Sequence, residues 1–168
     1  YLDNKNSLKD MHSFILNNPL NDIYLSDVII CSRINISIPI RYYPANIFRV
    51  NRLRFGIMPA HPAIIIKKEL HDLVGMYSTD YKIASDFDYI IRLFHLKNVR
   101  FTYMNKVFIR MIDGGISDKL SNKILLQKEL KIICSKHNIV SNHFILLFRF
   151  IIKFPGIRKK MHVIKYFF

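Results

Sequence analysis

The sequence predicts an α/β fold with a small mixed sheet, flanking helices and an amphipathic helix near its C-terminal end. Three observations predict it. Stretches with helical and strand periods interleave, but without the clean alternation of a complete doubly wound sheet. Hydrophobic residues make up 51% of the chain, enough to bury a core and to exclude a disordered protein. The length, 168 residues, suits one domain or a large part of one.

The elements follow in order. Leu8, Met11, His12, Ile15 and Leu16 recur at helical spacing, and Asn17-Asn18-Pro19 stops that helix. Residues 22–32, rich in Ile, Tyr and Val, read as a buried strand. Ile34, Ile36, Ile38 and Ile40 alternate with less apolar neighbours, which predicts a second, half-exposed strand that Pro39 and Pro44 interrupt. Residues 42–55 are aromatic and basic with no clear period, and read as a loop holding a short helix. Pro59-Ala60-His61-Pro62 leads into a short buried strand at residues 63–66. One or two helical turns over residues 67–74 end at Gly75.

Residues 84–96 form a helix with Phe87, Ile90, Ile91 and Phe94 on one face. Residues 99–111 read as one or two strands, Asp113-Gly114-Gly115 as a turn, and residues 122–137 as a long amphipathic helix. Residues 144–154 are almost wholly apolar, broken by Arg149 and Lys153. As a helix they would span roughly 16 Å, about half of a bilayer core. Pro155-Gly156 ends the run, and Arg158, Lys159, Lys160 and Lys165 precede Tyr166-Phe167-Phe168. An apolar helix with a basic stripe and aromatic ends suits an anionic membrane surface; an ordinary helix packed on the domain is the other reading.

Charge and cysteine content narrow the class of function. The formal charge is +14, from 26 Lys and Arg against 12 Asp and Glu, which favours an anionic partner such as acidic lipid, nucleic acid or a phosphorylated ligand. The basic residues are spread along the chain and no RNA-binding signature appears, so nucleic acid is not an expected partner. Cys31 and Cys134 lack metal-ligand spacing and make no disulfide framework, which leans toward a reducing compartment. No run reaches the roughly 20 apolar residues of a spanning helix, and the opening residues do not read as a secretion signal.

The residues that bear on chemistry centre on Ser85-Asp86-Phe87-Asp88. Locally, Ser85 reads as an N-cap and Asp88 as the acid that completes a capping box. Asp86 suits the positive end of the helix dipole. The wider order of residues adds to this. His61-Pro62-Ala63, Gly75-Met76-Tyr77, the segment 81–88 with Arg92, Gly114-Gly115-Ile116-Ser117 and Glu129 follow one another. In that order and spacing, residues 1 to about 137 resemble the C-terminal half of family 2 glycosyltransferases, the branch that builds bacterial surface polysaccharides.

The resemblance implies part of a GT-A fold. It implies transfer of a sugar from a nucleotide-sugar donor to a glycan or lipid-linked acceptor, with inversion at the anomeric carbon. Asp86 stands where that family has its catalytic base, which takes the proton of the attacking hydroxyl and must be ionised and within reach of it. Many members have Glu before this Asp. This chain has Ser85, which leaves the base intact and removes one neighbouring acid. Asp88 and Arg92, at i and i+4, read either as a helix brace or as substrate contacts. Gly114, Gly115 and Ser117 match a loop beside the donor and acceptor, where paired glycines let backbone N–H groups approach a phosphate; a tight turn explains the glycines equally well. His61 reads as a structural histidine or a substrate ligand near the floor of the site.

The resemblance also implies a divalent metal, Mg or Mn, on the donor diphosphate, with ligands in a nucleotide-binding half expected before Tyr1. Asp86-Phe87-Asp88 has the Asp-x-Asp spacing, but the resemblance assigns it to the base region. No residue of this chain is therefore expected to ligate metal, and this piece alone is expected to be inactive. The expected organisation is residues 1–140 as the catalytic-base and acceptor half and residues 141–168 as a basic tail that associates with a membrane. The expected location is cytoplasmic, peripheral on the inner face of the cell membrane. A non-catalytic basic module that binds a membrane surface or nucleic acid is the alternative.

Overall fold

The structure is a computed structural model and describes residues 1–115 and 120–152. Strand β1, Ile23–Cys31, is its axis. Alternate residues of a strand face opposite sides. Ile23 and Leu25 enter one apolar cluster and Tyr24 and Val28 enter another. Both faces are thus covered, which is why the segment reads as a nearly continuous apolar run.

The sheet is mixed and four-stranded among the described residues. Strand β4, Phe101–Ile112, runs parallel to β1 along one edge. The opposite edge is shared by two antiparallel strands. Strand β3, Ile64–Ile66, pairs with Ile23–Leu25, and strand β2, Pro39–Tyr43, pairs farther along with Val28–Cys31. The register slips at the middle: β4 advances from Tyr103 to Ile109 while β1 advances only from Leu25 to Val28. Such bulges re-aim side chains. Here the slip surrounds Asp27, a buried carboxylate that accepts the Tyr103 hydroxyl and the Ala45 N–H, each at 2.7 Å, and the Tyr42 hydroxyl.

The helices flank this sheet. Helix α1, Ser7–Leu16, sets Met11 into the cluster of Tyr24, Val28, Met104 and Phe108. Helix α2 is Lys68–Val74, and Gly75 closes it with φ of 78°, a left-handed value that glycine adopts freely. Helix α3, Ser85–His95, buries Phe87, Ile90, Ile91 and Phe94 on the predicted face. They meet Leu130, Ile133 and Cys134 of α4, Leu120–Lys136, and Leu146 of α5, His143–Ile152. Phe48, Phe94 and Phe101 close the core as an aromatic trio, with ring centroids 4.8–5.8 Å apart. Both cysteines are free and buried, and burial raises the Cys134 thiol pKa, as befits an inert core residue.

Two expectations need correction. The strand expected over residues 34–40 begins only at Pro39, and Ile34 is 96% exposed. Turn chemistry overrides the alternation there: Ser32 Oγ accepts the Ile34 N–H at 3.1 Å, Asn35 Oδ1 accepts the Ser37 N–H at 2.8 Å, and the Ile38 N–H closes onto the Asn35 carbonyl. The local cap of α3 also differs. Ala84, not Ser85, is the N-cap residue, and no side chain of the helix caps it. Glu129, buried on α4, instead holds the backbone just before the helix from 45–47 positions away, accepting the N–H groups of Lys82, Ile83 and Ala84 at 2.8–3.0 Å. Asp88, freed from the capping box, has other partners.

The start of the expected tail joins the core through Leu146, and Ser141 Oγ donates to the Arg54 carbonyl at 2.6 Å. Phe144 and Leu147 face outward. Pro155-Gly156 and the cations at 158–165 lie outside the described residues. Among the described residues no helix is long and apolar enough to cross a membrane.

Candidate functional site

The first turn of α3 carries Asp86 to the surface and Asp88 to the interior. Asp86 keeps 26% of its side chain exposed. Its Oδ1 accepts the Phe87 N–H at 2.8 Å, which fixes its rotamer, and its Oδ2 lies 3.2 Å from His61 Nδ1. His61 opens a short 3-10 turn, His61–Ala63, just before β3. That turn is held to the sheet by Ser26 Oγ, which donates to the Ala63 carbonyl at 3.1 Å. The fold thus brings together two sequence-predicted residues 25 positions apart, His61 and Asp86, and leaves the carboxylate open on one side.

Asp88 is 2% exposed and forms the centre of a buried cluster. Arg92 Nε donates to its Oδ2 at 2.9 Å, and His137 Nε2 donates to its Oδ1 at 2.8 Å. Burial alone would raise the Asp88 pKa, but the hydrogen bonds and positive charge of His137 and Arg92 outweigh it and hold the carboxyl below the ordinary range. His95 packs edge-on to His137, with centroids 6.2 Å apart, and burial and that neighbour lower its pKa.

The Arg92 guanidinium then grips the end of α2. It donates to the Val74 carbonyl and, at 2.8 Å, to the Met76 carbonyl. It also lies over the Tyr89 ring, 5.4 Å from the centroid. Asp88 and Arg92 therefore brace α2, α3 and α4 around the half-buried Asp86.

Gly114 sits at the end of β4 with φ of 91°. Arg33 wraps this turn, with Nε donating to the Asp113 carbonyl at 2.7 Å and Nη2 to the Gly114 carbonyl at 2.5 Å. A Cβ at Gly114 would lie 2.1 Å from Arg33 Nη2, whereas one at Gly115 would meet open space. The requirement for glycine at 114 is thus met by the turn itself. Gly114→Ala is expected to lower stability by about 1–2 kcal/mol through strain and loss of the Arg33 clamp. Gly115→Ala should leave the urea midpoint unchanged, and equal midpoints for the two variants would contradict this account. Ser117 lies outside the described residues.

A cleft of about 620 Å³ near this turn is lined by Asp3, Ser32, Arg33, Ser37 and Arg110 among others, and excludes Asp86 and His61. Arg110 Nε is already bound to Asp3 Oδ1 at 2.7 Å. Among the described residues no three His, Cys, Asp or Glu side chains form a set that could hold a metal ion. Asp86 and Asp88, despite their spacing, do not fit a metal pair: one is at the surface beside His61 and the other is buried between two cations.

Several residues of the site carried no assigned role in the sequence. Glu129 and Tyr77 stood in the motif order, but nothing local pointed to the Glu129 hydrogen bonds or to an aromatic contact. Tyr89 shares a helix face with Asp86 by its i+3 spacing, a signal that was readable. His137 had none, because its partner is 49 positions away. No protein-family model and no curated protein matches this chain.

Proposed function

We propose that this chain supplies the catalytic base and acceptor side of an inverting glycosyltransferase. It would move a sugar from a nucleotide-sugar donor to a glycan or lipid-linked acceptor of the cell envelope. The observation that carries this reading is Asp86: a half-buried carboxylate at the head of a helix, open on one side, held by its own backbone and set beside His61. A helix N-terminus is a favourable place for a negative charge. An acceptor hydroxyl within reach of Asp86 gives up its proton as its oxygen attacks the anomeric carbon. The bond from that carbon to the donor diphosphate breaks, and the diphosphate leaves with the electron pair. The Asp88–Arg92–His137 cluster keeps α3 in place during that step.

The divalent metal of the donor diphosphate belongs to this proposal, but the residues in hand do not form its site and no step here runs through it. Membrane association belongs to this proposal and is supported by the outward-facing Val140, Phe144 and Leu147 and by the +14 charge; its placement on the cytoplasmic face comes from the resemblance alone. The test is transfer by the full-length protein from a panel of UDP-, GDP- and dTDP-sugars to an envelope lipid extract. A labelled glycan product is the expected result. No transfer from any donor, with salt-sensitive binding to anionic liposomes retained, would replace this reading with the non-catalytic basic module.

A further inference from the structure

Asp86 has an aromatic neighbour whose role nothing above explains. Tyr89 lies one helical turn on from Asp86, on the same face of α3. Its ring is fixed on several sides. The hydroxyl meets His71 Nδ1 at 2.8 Å, and Arg92 covers part of the ring. Tyr77 stacks on it, with centroids 4.4 Å apart and planes 17° from parallel.

Tyr77 itself is held from behind. Gly75 turns the chain out of α2 at positive φ, and Arg92 binds the carbonyls of Val74 and Met76 just before it. One face of the Tyr77 ring is covered by Tyr89, yet the residue stays 46% exposed. Burial and the negative charge of Asp86 both raise the Tyr77 pKa, so the phenol lies within the field of that carboxylate and stays protonated as a donor.

An aromatic ring stacked on Tyr89, which stands one helical turn from Asp86, has a specific chemical complement. A pyranose ring offers one face of C–H groups and an edge of hydroxyls. The C–H face suits the negative face of an aromatic ring, and the hydroxyls suit Asp86 and His61. We propose that the outward face of Tyr77 is the platform for the acceptor sugar, stacking a pyranose ring so that one hydroxyl reaches Asp86. This rests on the reading of Asp86 as the base. Arg92 and Tyr89 are then positioning residues that hold the platform.

Binding and turnover test it separately. Saturation-transfer NMR on the full-length protein, with the methyl glycosides of glucose, galactose and N-acetylglucosamine as probes, should show transfer to the ring C–H groups of at least one. Tyr77→Phe should keep that signal and Tyr77→Ala should lose it, with acceptor KM raised about three- to tenfold by Tyr77→Ala. A second measurement does not depend on the alanine variant folding. In wild-type protein with 13C-labelled tyrosine, the Tyr77 ring resonance should move on titration with the same glycoside. No saturation transfer to any probe, an unmoved Tyr77 ring, or equal signals for wild type and Tyr77→Ala would each overturn the proposal. If only the base assignment is wrong, Asp86→Asn will retain turnover while the Tyr77 effects persist, so the two failures are distinct.

Discussion

Asp86→Asn in the full-length protein is expected to lower the kcat of sugar transfer by about 10²–10⁴-fold while leaving donor affinity near wild type. Asparagine has nearly the same shape and keeps an oxygen to accept the Phe87 N–H, so the first turn of α3 should survive. What it lacks is a site for the acceptor proton. The loss should therefore appear in kcat, since on the proposed reading the carboxylate acts as the hydroxyl oxygen attacks and not as the donor binds. His61→Gln should give a smaller loss, because His61 stands beside Asp86 and orients it without receiving the proton. Single-turnover transfer from a labelled donor, with donor affinity measured separately, checks both. Turnover retained by Asp86→Asn would remove the base assignment.

The second large effect is on stability. Asp88→Asn is expected to destabilise the fold by about 3 kcal/mol, the lower end of what removing one member of a buried ion pair costs. The lower end applies because Arg92 remains 25% exposed and water can recover part of its charge. The variant leaves Arg92 and His137 facing a neutral amide in the interior. Arg92 also holds the end of α2, so the loosening should spread to the Val74–Met76 carbonyls. Urea denaturation should show a lower midpoint at an unchanged slope. A loss below about 1 kcal/mol would mean the cluster is a weak brace, of the kind exposed pairs make.

The same cluster sets a pH dependence with a definite sign. The Asp88 carboxyl is held below its unfolded value, so its contribution is full above the unfolded pKa of about 3.9 and is lost as pH falls through the folded one. Wild-type stability should therefore decline in acid across that window. Asp88→Asn should show a shallower acid limb, since position 88 no longer takes up a proton. Parallel acid limbs would show that other carboxylates dominate. Asp22 is one such group, with its pKa lowered by the Lys67 ammonium and the Arg100 N–H.

Much of the fold was legible before the structure. The helices at 7–16, 68–74 and 85–95 and the strand at 23–31 stand within a residue or two of their expected places. Each is announced by a run of apolar residues at its own period and by a stop such as Asn17-Asn18-Pro19 or Gly75. The strand expected over residues 34–40 was misplaced because alternation is a weak signal in a short segment. There Ser32 and Asn35 offer the backbone turn hydrogen bonds before any ladder can form. The helix face of Phe87, Ile90, Ile91 and Phe94 was correct because burial there follows the helical period.

The sequence by itself determined that this is an α/β chain with a small sheet, and that Asp86 stands at the head of an amphipathic helix. Those properties are local, and local spacing suffices to encode them. Only the tertiary structure decided which carboxylate holds the backbone before that helix, which one is buried, and which aromatic ring stacks on Tyr89. Glu129, not Asp88, holds the backbone before α3; Asp88 instead binds His137 and Arg92; Tyr77 stacks over Tyr89. These pairings join residues far apart in the chain, and a carboxylate's role depends on the charge and burial that folding brings to it, which no local period records.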